Sequence, residues 1–155
     1  MKIVRILIFS LIGIFALSNL IYFPGFKVWA FSELKLIDSE KVTSLTINRR
    51  EEKVEVKITD KKEIQKVLND FSKMELRKIK RESDANDSDT KAAKENNYTY
   101  NIYVYENTQD VGTIYLSGTS YMVFYSKFSD EIPIYKIKNN PDLEIHEVFN
   151  SAKNK

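Results

Sequence analysis

Hydrophobic and polar positions follow three rhythms along this chain. The first has no polar phase. Between Arg5 and Lys27 there is no charged side chain, and Ile6 to Phe23 is nearly all Ile, Leu, Phe, Ala, Ser and Gly. The second is a period of two. Leu45 and Ile47 alternate with polar neighbours, and Val54 to Ile58 alternates over its whole length, which marks strands with one buried face. Asn48 to Lys53 reads as the charged turn between them. The third rhythm is helical: Ile64, Val67, Leu68 and Phe71 form one apolar stripe at i, i+3, i+4 and i+7. Asp60 stands where that helix needs a cap, with Glu63 three residues on. Lys62, Gln65, Lys66 and Asn69 should face solvent.

The period of two then returns. Met74 to Arg81 reads as a strand with a basic outer side. Tyr98 to Tyr105, Val111 to Leu116 and Tyr121 to Tyr125 read as an antiparallel meander, with tight connections at Asn107 and Ser117-Gly118. Ile134 to Ile137 adds an expected edge strand, because Pro133 suits only a strand start or an edge. Asn140-Pro141 has the order of a cap and first helical residue, and Ile145, Val148, Phe149 and Ala152 form the stripe of the helix that follows. Residues 81–97 are almost wholly polar and read as a long loop.

This order predicts an α+β fold. An antiparallel sheet of about five to six strands carries two helices packed on one face, behind an N-terminal transmembrane helix. The expected divisions are a signal peptide or anchor over residues 1–30, a connector over 31–40, and a domain over 41–152.

The apolar run has the length of a membrane span. As a helix, the uncharged stretch extends about 31 Å, against a hydrocarbon core about 30 Å thick. Lys2 and Arg5 precede it, as in a signal peptide, and Val28-Trp29-Ala30 or Ala16-Leu17-Ser18 has the small residues of a cleavage site. The run is longer than the roughly 7–15 residues usual for a cleaved signal. An uncleaved anchor through residues 6–23 is therefore the favoured expectation, with secretion after cleavage as the alternative. Pro24-Gly25 ends the helix, and Tyr22 and Trp29 suit the headgroup region. The charged start favours an outside location for the C-terminal domain, although Lys27, Lys35 and Lys41 keep the contrast small.

Charge narrows the partners. Lys2, Arg5 and Lys27 are the only charges in the first 30 residues, so the rest of the chain holds 21 of the 24 basic side chains against 22 acidic ones. A near-neutral domain is not expected to bind nucleic acid. There is no cysteine, which excludes a lipoprotein-type anchor and any disulfide framework.

Candidate chemistry is sparse. Asp84, Asn86, Ser88 and Glu95 occupy positions 1, 3, 5 and 12 of a calcium-loop pattern. Asp89 stands where the loop needs glycine, and a solvated polar loop explains the same residues. His146 is the one histidine, and the helical wheel turns it toward solvent. No cysteine nucleophile, G-x-S-x-G or H-E-x-x-H spacing is present, so neither an enzyme nor a cofactor is expected. Lys73, Arg77, Lys78, Lys80 and Arg81 form a basic cluster. Its simpler reading is a solvated edge strand rather than a lipid-headgroup site.

Tyrosine is the more unusual feature. Tyr98, Tyr100, Ile102 and Val104 share one face of their strand, and Tyr103 and Tyr105 the other. With helices on only one face of the sheet, Tyr103, Tyr105, Tyr115 and Tyr125 are candidates for a binding surface. Cross-strand aromatic pairing that stiffens the sheet is the structural alternative.

The segments "VTSLTI", "ITDKKEIQKVLNDF" and "YNIYVY", with the hydrophobic leader and closing amphipathic helix, resemble small exported or membrane-anchored proteins of Gram-positive bacteria that share a domain of unknown function. The likeness covers most of residues 40–150 and implies no activity and no site residues. The expected function is a membrane-anchored module that binds a protein partner at the cell surface. A secreted inhibitor or immunity-type protein is the alternative, and a calcium-dependent or carboxylate-based enzyme ranks below both.

Overall fold

The computed structural model describes residues 27–79 and 98–154, together with 10, 13 and 14. Among these no helix is long and apolar enough to cross a membrane. The apolar run lies outside them apart from Ser10, Gly13 and Ile14, which are helical. The 81–97 loop and the calcium pattern at Asp84, Asn86, Ser88 and Glu95 also lie outside the described residues.

Alternating sequence becomes one antiparallel sheet. Its strands are β1 (Val28–Ala30), β2 (Ser44–Arg49), β3 (Val54–Ile58), β4 (Glu75–Ile79), β5 (Thr99–Glu106), β6 (Gln109–Ser117), β7 (Tyr121–Ser126) and β8 (Ile134–Ile137). They are ordered β1-β4-β8-β7-β6-β5-β2-β3. The helices are α1 (Lys61–Ser72) and α2 (Ile145–Lys153). The α+β class and antiparallel sheet agree with the sequence pattern, but the sheet has eight strands rather than five to six.

Three placements differ from the sequence reading, and the first of them adds a strand. Val28–Ala30, assigned above to the leader, pairs with β4 through Val28 opposite Arg77 and Ala30 opposite Glu75. β4 therefore lies inside the sheet, between β1 and β8, and is not a solvated edge strand. β8 is internal too, because Pro133 precedes the strand and leaves its ladder intact. The true edges are β1 and β3.

The expected connector is also part of the fold. Phe31–Leu34 forms a 3-10 turn, and Phe31 is buried with its ring 5.3 Å from that of Phe71. Burying a side chain of this size contributes about 1.5–3 kcal/mol, so these residues help to hold α1 down.

One apolar cluster joins both helices to the sheet. Ile64, Val67, Leu68 and Phe71 of α1, and Ile145, Val148 and Phe149 of α2, meet Leu45, Ile47, Ile102, Val104, Ile114 and Leu116. Because side chains alternate along a strand, burying this set against the helices leaves the intervening set on the other face, which among the described residues neither α1 nor α2 covers and which is called the helix-free face below. Asp60 caps α1, accepting the N–H groups of Lys62 and Glu63 at 2.9 and 3.1 Å. The start of α2 departs from expectation: the helix begins at Ile145, and Asn140-Pro141 lies in the preceding turn. There the Asn140 Oδ1 accepts the Thr119 hydroxyl at 2.7 Å.

Candidate functional site

The register of the central strands assembles the helix-free face. Tyr103 on β5 lies opposite Thr113 on β6, which lies opposite Tyr125 on β7. In the adjoining row, Asn101 is opposite Tyr115, Tyr115 opposite Val123, and Val123 opposite Ile134. Tyr121 and Tyr125 flank Val123 two positions away along β7. Val123 lies outside the helix-side core cluster, yet it is only 5% exposed. Three tyrosines and Ile134 surround it.

Of the four tyrosines singled out by the sequence, the structure brings three together. Tyr103 and Tyr115 are half-buried, and Tyr125 is 44% exposed. The Arg50 Nη1 reaches the Tyr115 hydroxyl at 3.5 Å. Tyr105 stands apart, beyond the bulge in the β5–β6 ladder. It lines a separate shallow cavity of about 310 Å³ with Ser44, Thr46, Lys57, Asn107 and Thr108. Rings bordered by hydroxyls and amides offer apolar area and hydrogen bonding together, the combination that favours protein recognition.

A second feature, on the helix side, was not anticipated from the sequence. Tyr98, Tyr100, Thr119, Asn140, Asp142 and His146 line part of an open groove of about 580 Å³ where α2 begins. His146 does not turn to solvent. Its ring stacks on Tyr98 with centroids 4.8 Å apart, Nδ1 lies 3.1 Å from the Tyr100 hydroxyl, and Nε2 lies 3.1 Å from Asn150 Nδ2. Burial pushes the Tyr100 phenol up to about 12, against the opposing pull of the Arg49 guanidinium.

Arg49 anchors this cluster. It ends β2 rather than lying in a charged turn, and it is 2% exposed. Its guanidinium sits 4.3 Å from the Tyr98 ring centroid and 4.1 Å from that of Phe149. Nη1 donates to Glu52 at 2.5 Å and Nη2 to Asn150 Oδ1 at 2.7 Å, while Nε has no hydrogen-bond partner among the described residues. The signal lay in the alternation: Leu45, Ile47 and Arg49 share one face of β2.

Among the described residues, no group of three or more His, Asp or Glu side chains is arranged to hold a metal ion. No family model, curated protein or solved structure matches the chain.

Proposed function

We propose that this chain is a membrane-anchored binding module, held by residues 6–23, whose helix-free sheet face engages a protein partner outside the cell. The observation that carries this reading is the tyrosine-bordered patch around Val123. A face this rich in rings is left uncovered by either helix, and its apolar centre is rimmed by polar groups. The resemblance to exported Gram-positive proteins points to the same location.

Anchoring without cleavage at Ala30 is favoured by strand β1. A cut there would release Val28–Ala30 from its pairing with β4 and leave the β4 edge open. The test of function is crosslinking on intact cells followed by affinity capture. The wild-type chain should retain a discrete partner that the Tyr103→Ser/Tyr115→Ser/Tyr125→Ser variant loses while still folding. Equal capture by both would overturn the assignment of this face.

A further inference from the structure

The exposed apolar residues are not scattered. Beyond Lys27, the large hydrophobic side chains that remain exposed among the described residues are Val28 at 42%, Tyr125 at 44%, Phe128 at 69% and Ile132 at 54%. Three of them belong to the end of β7 and the β7–β8 loop. On the β8 side that loop is closed by the Phe124 N–H donating to the Pro133 carbonyl at 3.3 Å. β7 stays paired with β6 as far as Ser126 opposite Gly112, and the Lys127 N–H donates to the Val111 carbonyl at 3.3 Å, so the segment from Phe128 to Ile132 is the part that leaves the ladder.

The fourth lies where the chain enters. Val28 is opposite Arg77, and Arg77 is opposite Lys136. Antiparallel pairing makes the residues before Lys27 leave from the end of the sheet at which β4 finishes and β8 begins. This is also the end from which the β7–β8 loop projects. From Phe23, the last residue of the apolar run, to Lys27 is four residues, which reach no more than about 14 Å. Phe128 follows Lys127, the last β7-side residue bonded to β6, and so the loop leaves the sheet at this same end, past the start of β8.

From this geometry we infer that the β7–β8 loop is a second membrane contact, with Phe128 and Ile132 set into the boundary between headgroups and acyl chains. The inference rests on residues 6–23 being an anchor, and it adds how the domain is oriented on the bilayer. Singly exposed apolar residues are ordinary. A cluster beside the exit of an apolar run has a lipid surface within reach. The charge pattern fits a shallow contact with no demand for anionic lipid. Lys78 pairs with Glu131, and Lys127 pairs with Asp110 at 3.2 Å, while exposed Asp130 at the tip opposes deep insertion. At the same end the Lys27 ammonium lies 3.4 Å from the Trp29 ring centroid, an interfacial pairing of cation and indole. In this pose the Tyr103–Tyr115–Val123 patch stands above the membrane and stays open to a partner.

The absence of cysteine makes the test direct. Full-length chain carrying Phe128→Cys or Ile132→Cys is labelled with a polarity-sensitive fluorophore and reconstituted in phosphatidylcholine–phosphatidylglycerol vesicles brominated along their acyl chains. Asp142→Cys, at the opposite end of the sheet, is the reference. Quenching several-fold stronger at 128 and 132 than at 142 is the expected result. Equal, weak quenching at all three sites overturns the contact. Flotation of the vesicles in alkaline carbonate separates the two readings. A chain that floats but is not quenched at 128 keeps its anchor and loses the loop contact, whereas a chain stripped from the vesicles contradicts the anchor itself.

Discussion

Asp70, near the end of α1, accepts the backbone N–H of Ile145 at 2.8 Å and so caps the first turn of α2 from a distant part of the chain. The carboxylate is buried and also meets the Lys73 ammonium at 3.2 Å. Burial raises its pKa above the ordinary 3.8 despite these partners. Stability from this group is then fully present below 3.8 and is lost as pH rises through the folded value. Asp70→Ala should cost about 1–3 kcal/mol by stranding the Ile145 donor. Asp70→Asn should cost less, because it keeps an acceptor. In thermal melts across pH, wild type should gain stability relative to Asp70→Asn as the solution is acidified from neutrality. A constant difference between the two would contradict the raised pKa.

Arg49 joins β2 to α2 through Asn150 and to the Tyr98 and Phe149 rings. Removing it takes one partner each from Glu52, which keeps Lys153 at 2.7 Å, and Asn150, which keeps His146 at 3.1 Å, and opens a void between the Tyr98 and Phe149 rings. Arg49→Ala should therefore lower stability by about 2–3 kcal/mol in denaturant titration. Arg49→Lys should recover only part of this, since an ammonium neither stacks flat nor donates in a two-pronged geometry. Full recovery by lysine would show that charge alone matters at this position.

Gly112 of β6 packs tightly against β7, opposite Ser126. A Cβ there would stand 2.7 Å from the Tyr125 carbonyl oxygen and 2.9 Å from Phe124 Cζ. The first of these is backbone and cannot swing aside. Gly112→Ala should destabilise the fold by about 1–3 kcal/mol and displace Tyr125, weakening partner capture with it. An unchanged melting midpoint would show that the strands separate without cost.

Processing provides a separate check. Because Val28–Ala30 is a paired strand and Phe31 packs on Phe71, chain recovered from cells should not begin at Phe31. Intact-mass analysis reads this directly. A dominant product starting at Phe31 would favour the secreted alternative.

Local patterns were legible wherever a residue's environment depends on its near neighbours. The alternation of Val54–Ile58, the cap at Asp60 and the opposed faces of Tyr100 and Tyr103 could all be read from spacing. β1 could not, because three residues show no period and its existence depends on β4. The inner positions of β4 and β8 are non-local for the same reason. Asn140-Pro141 resembled a helix start, but the acceptor for the α2 terminus is Asp70, supplied from another helix. That later start places His146 on the flank of α2, where Tyr98, just before β5, and Tyr100, within it, cover it. The alternation gave the tyrosine set its face; only the register showed that Tyr115, Tyr121 and Tyr125 enclose Val123 while Tyr105 stands apart.

The central claim is that the helix-free face, and not the helix side, meets a partner. A photo-crosslinking residue placed at Tyr103 or at Lys66, the latter exposed on α1, tests this in intact cells. Irradiation should give a discrete adduct from position 103, lost when Tyr115→Ser and Tyr125→Ser are added, and none from position 66. No adduct at 103, or the same adduct from both positions, would contradict the account.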